Sequence, residues 1–152
     1  MSDLLVAALE RVRVADSDVQ ASEARRQAAV VDARRVGASW TAIGDVIGTS
    51  KQGARQRYVG AEEVRKMSAM LDDRLKVWAQ GQGRLATVAE ALELALDREV
   101  LTDIQGKAVR AVYQLHAEAA RGKLVPAKQA DLLASECISI SAALFSATPS
   151  TA

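Results

Sequence analysis

Apolar positions recur along this chain at spacings of three and four, with no long β-branched or aromatic alternation of the kind a half-buried strand needs. Leu5, Leu9 and Val12 share one face behind Ser2 and Asp3, which predicts a capped first helix over about 3–14. "ADSD" at 15–18 predicts a break. Ser17 and Gln20 have capping-box spacing and predict a second helix from there to Val36. Gly37 suits the left-handed position after its end. Ser39 caps a short helix over about 40–47, Gly48 and Thr49 make a turn, and Ser50 caps a helix running to about Val59, with Gly60 ending it. Farther on, Val64, Met67, Leu71, Leu75 and Trp78 form an amphipathic stripe, and "GQGR" at 81–84 reads as a loop. Leu85, Val88, Leu92 and Ala95 or Leu96 make another stripe. Thr102 or Asp103 caps a helix carrying Ile104, Ala108, Val112, Leu115 and Ala119, which "RGKLVP" at 121–126 stops. A last helix over about 127–145 carries Leu133, Cys137, Ile140 and Leu144.

Composition sharpens this to an all-α fold. Of 152 residues 49% are hydrophobic, enough for a core, and they are mostly the helix-favouring Ala and Leu, with Val. Only Pro126 and Pro149 interrupt. The predicted organisation is a helix-turn-helix domain over 1–60, a helical bundle over 61–146 and a frayed tail over 147–152. A single cysteine, Cys137, excludes an intramolecular disulfide framework and a multi-cysteine zinc site, which fits a reducing cytoplasm. No apolar run is long enough to span a bilayer, so no membrane is expected.

The net charge of +1 hides an uneven distribution. From Arg25 to Tyr58 there are seven Lys/Arg against two acids, whereas from Ala61 onward eleven basic residues face twelve acidic ones. A local excess of this kind is the footprint of a nucleic-acid contact.

That excess coincides with "GASWTAIGDVIGTSKQGARQRY" at 37–58. Gly44 is the small residue that lets one helix lie close on the next, and Gly48 tolerates a sharp turn. Trp40, Ile43, Ile47, Ala54 and Tyr58 are spaced to pin both helices to a core. At about 100° per residue, with Ala54 inward, Gln52, Arg55, Gln56 and Val59 lie outward and Lys51 at the border. Glutamine can pair bidentately with adenine and arginine with guanine. Ser39, Thr49 and Ser50, at the two helix starts, are suited to phosphate, and Arg34 and Arg35 to flanking phosphates or to the helix dipole. Arg57 points partly sideways, toward DNA or an acid. Gly53 departs from a good helix sequence, costing about 1 kcal/mol of propensity.

The stretch resembles the helix-turn-helix of bacterial and phage transcriptional regulators, especially those patterned small-xx-W-xx-IG-xx-LG-x-S-[KR]-Q, over about residues 37–60. The resemblance implies a sequence-specific binder of double-stranded DNA, most simply a repressor that occupies operator or promoter DNA, of which a phage immunity repressor is one form. It implies no cofactor. Alternative readings are a helical protein-interaction module with an incidental basic patch, or a DNA-binding excisionase or partition factor.

The remaining chemistry is plain. His116 has no nucleophile at telling spacing, Cys137 sits on an apolar stripe, and Glu62–Glu63 and Asp72–Asp73 lack a third metal ligand, so they read as solvated faces. No phosphate loop or catalytic triad is visible, and an enzyme is not expected. The Val64–Trp78 stripe reads as a bundle core or as a homodimer seam within 61–146. A monomer would instead need direct DNA contacts from residues such as Arg65, Lys66, Arg74 or Lys76.

Overall fold

A computed structural model describes the backbone of residues 3–147 and the side chains of 6–147. Its elements are α1 (Asp3–Arg35), α2 (Trp40–Ile47), α3 (Lys51–Gly81), α4 (Val88–Asp97), α5 (Asp103–Ala120) and α6 (Ala127–Ser146), with no strand among the described residues. The fold is all-α, as the periodicity predicts. Ser2, the side chains of Asp3 and Leu5, and the tail beyond Ala147 lie outside the described residues, so the expected cap at Ser2 or Asp3 does too.

Three boundaries differ from expectation. "ADSD" does not break α1, which runs unbroken for 33 residues. Asp and Ser cost a helix only tenths of a kcal/mol each, against about 1 for Gly and 3 for Pro. The Gln20 amide donates to Asp16 at 2.8 Å, one turn back, so it closes no capping box with Ser17. Gly60 does not end a helix either: α3 continues through it to Gly81. At 31 residues α3 is about 46 Å long and serves both halves of the molecule. Leu85 and Ile104 leave their predicted stripes and are exposed, because α4 starts only at Val88 and Ile104 falls on the outer side of the first turn of α5.

The helix starts that the sequence marks most clearly are built as expected. Thr87 with Glu90, and Thr102 with Gln105, form reciprocal capping boxes. Val64, Met67, Leu71, Leu75 and Trp78 are all buried, in one cluster with Leu92, Val109, Val112, Cys137, Ile140 and Leu144. That stripe is therefore an internal wall against α4, α5 and α6 and leaves no seam for a second chain. Burial pushes the Cys137 thiol above its ordinary range. Tyr113 donates to Asp72, and Ser68 shares a 3.0 Å hydrogen bond with His116 Nδ1.

A second, smaller cluster joins Val30 of α1, Trp40 and Ile43 of α2, and Ala54 and Tyr58 of α3. Gln27 ties α1 to the bundle by donating to the Ala119 carbonyl at 2.8 Å from a buried position.

Candidate nucleic-acid interface

The candidate face is presented by α2, a three-residue connection and the first turns of α3; its cations, Lys51 and Arg55, lie on α3, and α2 adds no basic residue and one exposed acid, Asp45. Ser39 Oγ accepts from the Ala42 amide at 3.1 Å and Ser50 Oγ accepts from the Gly53 amide at 3.0 Å, so each helix begins at a serine cap. Such caps contribute about 1 kcal/mol each. Neither first turn contains an acid, which leaves the positive ends of both helix dipoles uncompensated.

The turn is sharp because Gly48 takes φ 73°, in the left-handed region, and Thr49 N–H bonds back to the Gly44 carbonyl at 2.9 Å. Gly44 is buried, and a Cβ there would stand 2.7 Å from the Thr49 carbonyl oxygen and 3.1 Å from the Ser50 carbonyl. The small residue thus brings α2 onto the backbone of the turn itself. Gly44→Leu is expected to destabilise the protein by about 3 kcal/mol, at the upper end of ordinary overpacking, since backbone cannot rotate aside. Thermal melts read this out; an unchanged melting temperature would mean that α2 does not rest on the turn.

Gly53 has a packing reason as well. A Cβ at that position would lie 2.6 Å from Thr49 Oγ1 and 3.3 Å from Ser50 Oγ, so the missing side chain makes room for the threonine hydroxyl.

Trp40, Ile43, Ala54 and Tyr58 are buried and Ile47 partly so, as their spacing predicts. Gln52, Arg55, Gln56 and Lys51 are exposed, and none has a hydrogen-bond or ion-pair partner among the described residues. Val59, placed outward from the sequence, is instead partly buried against the smaller cluster.

The arginines expected to flank the site divide. Arg34 donates to the Ala38 carbonyl at 2.6 Å, meets Glu62 at 3.3 Å and stacks over Trp40 at 4.8 Å from the ring centre. It therefore clasps the end of α1 to α3. Glu62, read as part of a solvated pair, is 5% exposed and also meets Lys66 at 3.2 Å. Arg57 pairs with Glu23 at 3.2 Å, an acid that Arg26 also meets at 3.0 Å. Arg35 lies 3.8 Å from Asp32, both well exposed, a pairing worth little in water.

The basic excess of 25–58 thus contracts. Glu23 and Glu62 stand just outside that window in sequence and inside it in space. Lys51 and Arg55, at the start of α3, and Arg25 on α1 keep their charge unpaired among the described residues. Sequence spacing gave no sign of the Glu23–Arg57 pair, because 34 positions separate its members and only the packing of α1 across α3 brings them together.

Comparison with protein families, with curated proteins and with solved structures finds no match to this chain. Among the described residues, no helix is long and apolar enough to cross a membrane.

Proposed function

We propose that this protein is a sequence-specific binder of double-stranded DNA that uses the α2–turn–α3 unit as a helix-turn-helix. The supporting observation is one exposed face at the start of α3, carrying Lys51, Gln52, Arg55 and Gln56 with no partner among the described residues. A cationic, amide-rich surface held on a buried hydrophobic anchor has the chemistry of major-groove recognition.

In this reading the first turns of α3 enter the groove. Arg55 forks onto guanine O6 and N7, and Gln52 and Gln56 pair with adenine. Lys51 meets phosphate. The serine caps use their oxygens as acceptors within the protein, which leaves the hydroxyl hydrogens of Ser39 and Ser50 to donate outward, with that of Thr49, to phosphate oxygens. Occupation of operator or promoter DNA then blocks transcription, with no cofactor in the step. Arg34 supports the surface from behind rather than touching DNA.

A mobility-shift titration against salt tests the reading. With about four phosphates neutralised per chain, the log–log slope of affinity against salt is about −3.6, roughly a 100-fold loss between about 50 and 200 mM. An interaction module with an incidental basic patch gives no retarded duplex at low salt, and that result would remove the proposal.

A further inference from the structure

A cleft of about 200 Å³ opens where α1, α3 and α5 meet. Much of its wall is small and apolar, built from Val31 and from alanines of all three helices. Four polar side chains complete it: Gln27 and Asp32 of α1, Arg65 of α3 and His116 of α5.

Two of the four have unmet hydrogen-bonding capacity. Gln27 is 3% exposed, and its Nε2 donates to the Ala119 carbonyl at 2.8 Å and to the Lys123 carbonyl at 3.3 Å. Those bonds fix the orientation of the amide, yet its buried Oε1 has no donor. Arg65 is half-buried and its Nε is shut off from solvent without an acceptor. Its guanidinium has no hydrogen-bond or ion-pair partner among the described residues. Buried polar groups are nearly always paired, so an orphaned acceptor and an unpaired cation in one cleft call for a common reason.

The other two polar groups fit the same chemistry. Asp32 brings an exposed carboxylate, met only by Arg35 at 3.8 Å. His116 Nδ1 shares a 3.0 Å hydrogen bond with the buried Ser68 Oγ. Ser68 has no other side-chain partner among the described residues, so its hydrogen goes to Nδ1 and the ring hydrogen sits on Nε2, as a second donor for an anion.

We propose that this cleft binds a small aliphatic α-amino acid of about the size of valine. The carboxylate takes the Arg65 guanidinium, which has no partner to leave and can turn onto it. The ammonium group, a donor only, serves the Gln27 oxygen and the Asp32 carboxylate. The branched side chain packs on Val31 and the alanines. A simple carboxylic acid leaves Gln27 Oε1 without a donor, and a simple amine leaves Arg65 without an anion. The volume sets the size, since pockets for drug-sized ligands measure about 300–1,000 Å³. This inference does not depend on DNA binding.

Isothermal titration calorimetry of the full chain with L-valine tests it. For a ligand of about eight non-hydrogen atoms a Kd on the order of 0.1 mM is expected. Isovalerate, which is valine without its amine, and isobutylamine, which is valine without its carboxylate, should each bind about 10-fold more weakly or worse. Arg65→Met keeps an apolar stem and removes only a charge that pairs with nothing, so its melting temperature should match that of the parent. In that variant valine should lose about 10-fold or more in affinity and bind no more tightly than isobutylamine, as expected when the carboxylate and Arg65 act as a pair. No binding heat from valine at roughly 10 mM, about 100 times the expected Kd, would overturn the proposal. So would isovalerate binding as tightly as valine, or an Arg65→Met chain that binds valine like the parent.

Discussion

Gly60→Ala is expected to destabilise the protein by about 3 kcal/mol or more, although the same exchange within an ordinary helix adds about 1 kcal/mol of stability. The reversal of sign comes from the segment that crosses α3 at this point. A Cβ on residue 60 would stand 2.1 Å from the Val125 carbonyl oxygen, 2.9 Å from its carbon and 3.2 Å from the Ala127 amide nitrogen. All three atoms are backbone, so no rotamer relieves the clash. The connection between α5 and α6 would have to lift away, and Val125, which is 2% exposed, would lift with it. In a chain of this size about 3 kcal/mol corresponds to a fall of about 6–12 °C in melting temperature. A variant that melts at or above the parent temperature would show that the connection does not cross α3 at Gly60.

Arg55→Ala is expected to lose about 1–3 kcal/mol of specific DNA affinity and to relax preference at one base position. Lys51→Ala should differ in kind, weakening all duplexes about equally and reducing the salt slope by about 1. The contrast separates a residue that reads a base from one that meets phosphate. Both side chains are exposed and alanine favours helix, so neither variant should lower the melting temperature. Binding sites selected from random duplexes by the parent protein provide the comparison. An Arg55→Ala protein that binds the selected site as tightly and as selectively as the parent would remove Arg55 from base recognition.

The two pairs of predictions probe different layers of the molecule. Gly44 and Gly60 lie where backbone meets backbone, so their variants report on packing. Lys51 and Arg55 have no hydrogen-bond or ion-pair partner among the described residues, so their variants report on what lies outside the chain. Arg34 falls between the layers, since its guanidinium bridges Ala38, Glu62 and the Trp40 ring.

Information carried by near neighbours was enough to read most of the fold. The serine and threonine caps, the short α2, the left-handed Gly48 and the Val64–Trp78 stripe each depend on residues within a turn or two of one another. Those interactions are visible as spacing. The anchors Trp40, Ile43, Ala54 and Tyr58, and the exposed Gln52, Arg55 and Gln56, follow from the same local periodicity.

Tertiary structure alone decided the rest, because it turns on what a distant segment brings to a position. Gly60 reads as a stop when only its neighbours are considered, and becomes a crossing point once Val125 packs onto it. Ile104 has the right spacing for a stripe but falls on the outer side of α5. Arg34 reads as a phosphate or dipole partner and Arg57 as turned toward DNA or an unnamed acid, until Glu62 and Glu23 arrive from 28 and 34 positions away. Local spacing determines which residues form a helix and which of them share a face. Which faces are covered, and which charges remain to meet a partner, are settled only when the helices pack.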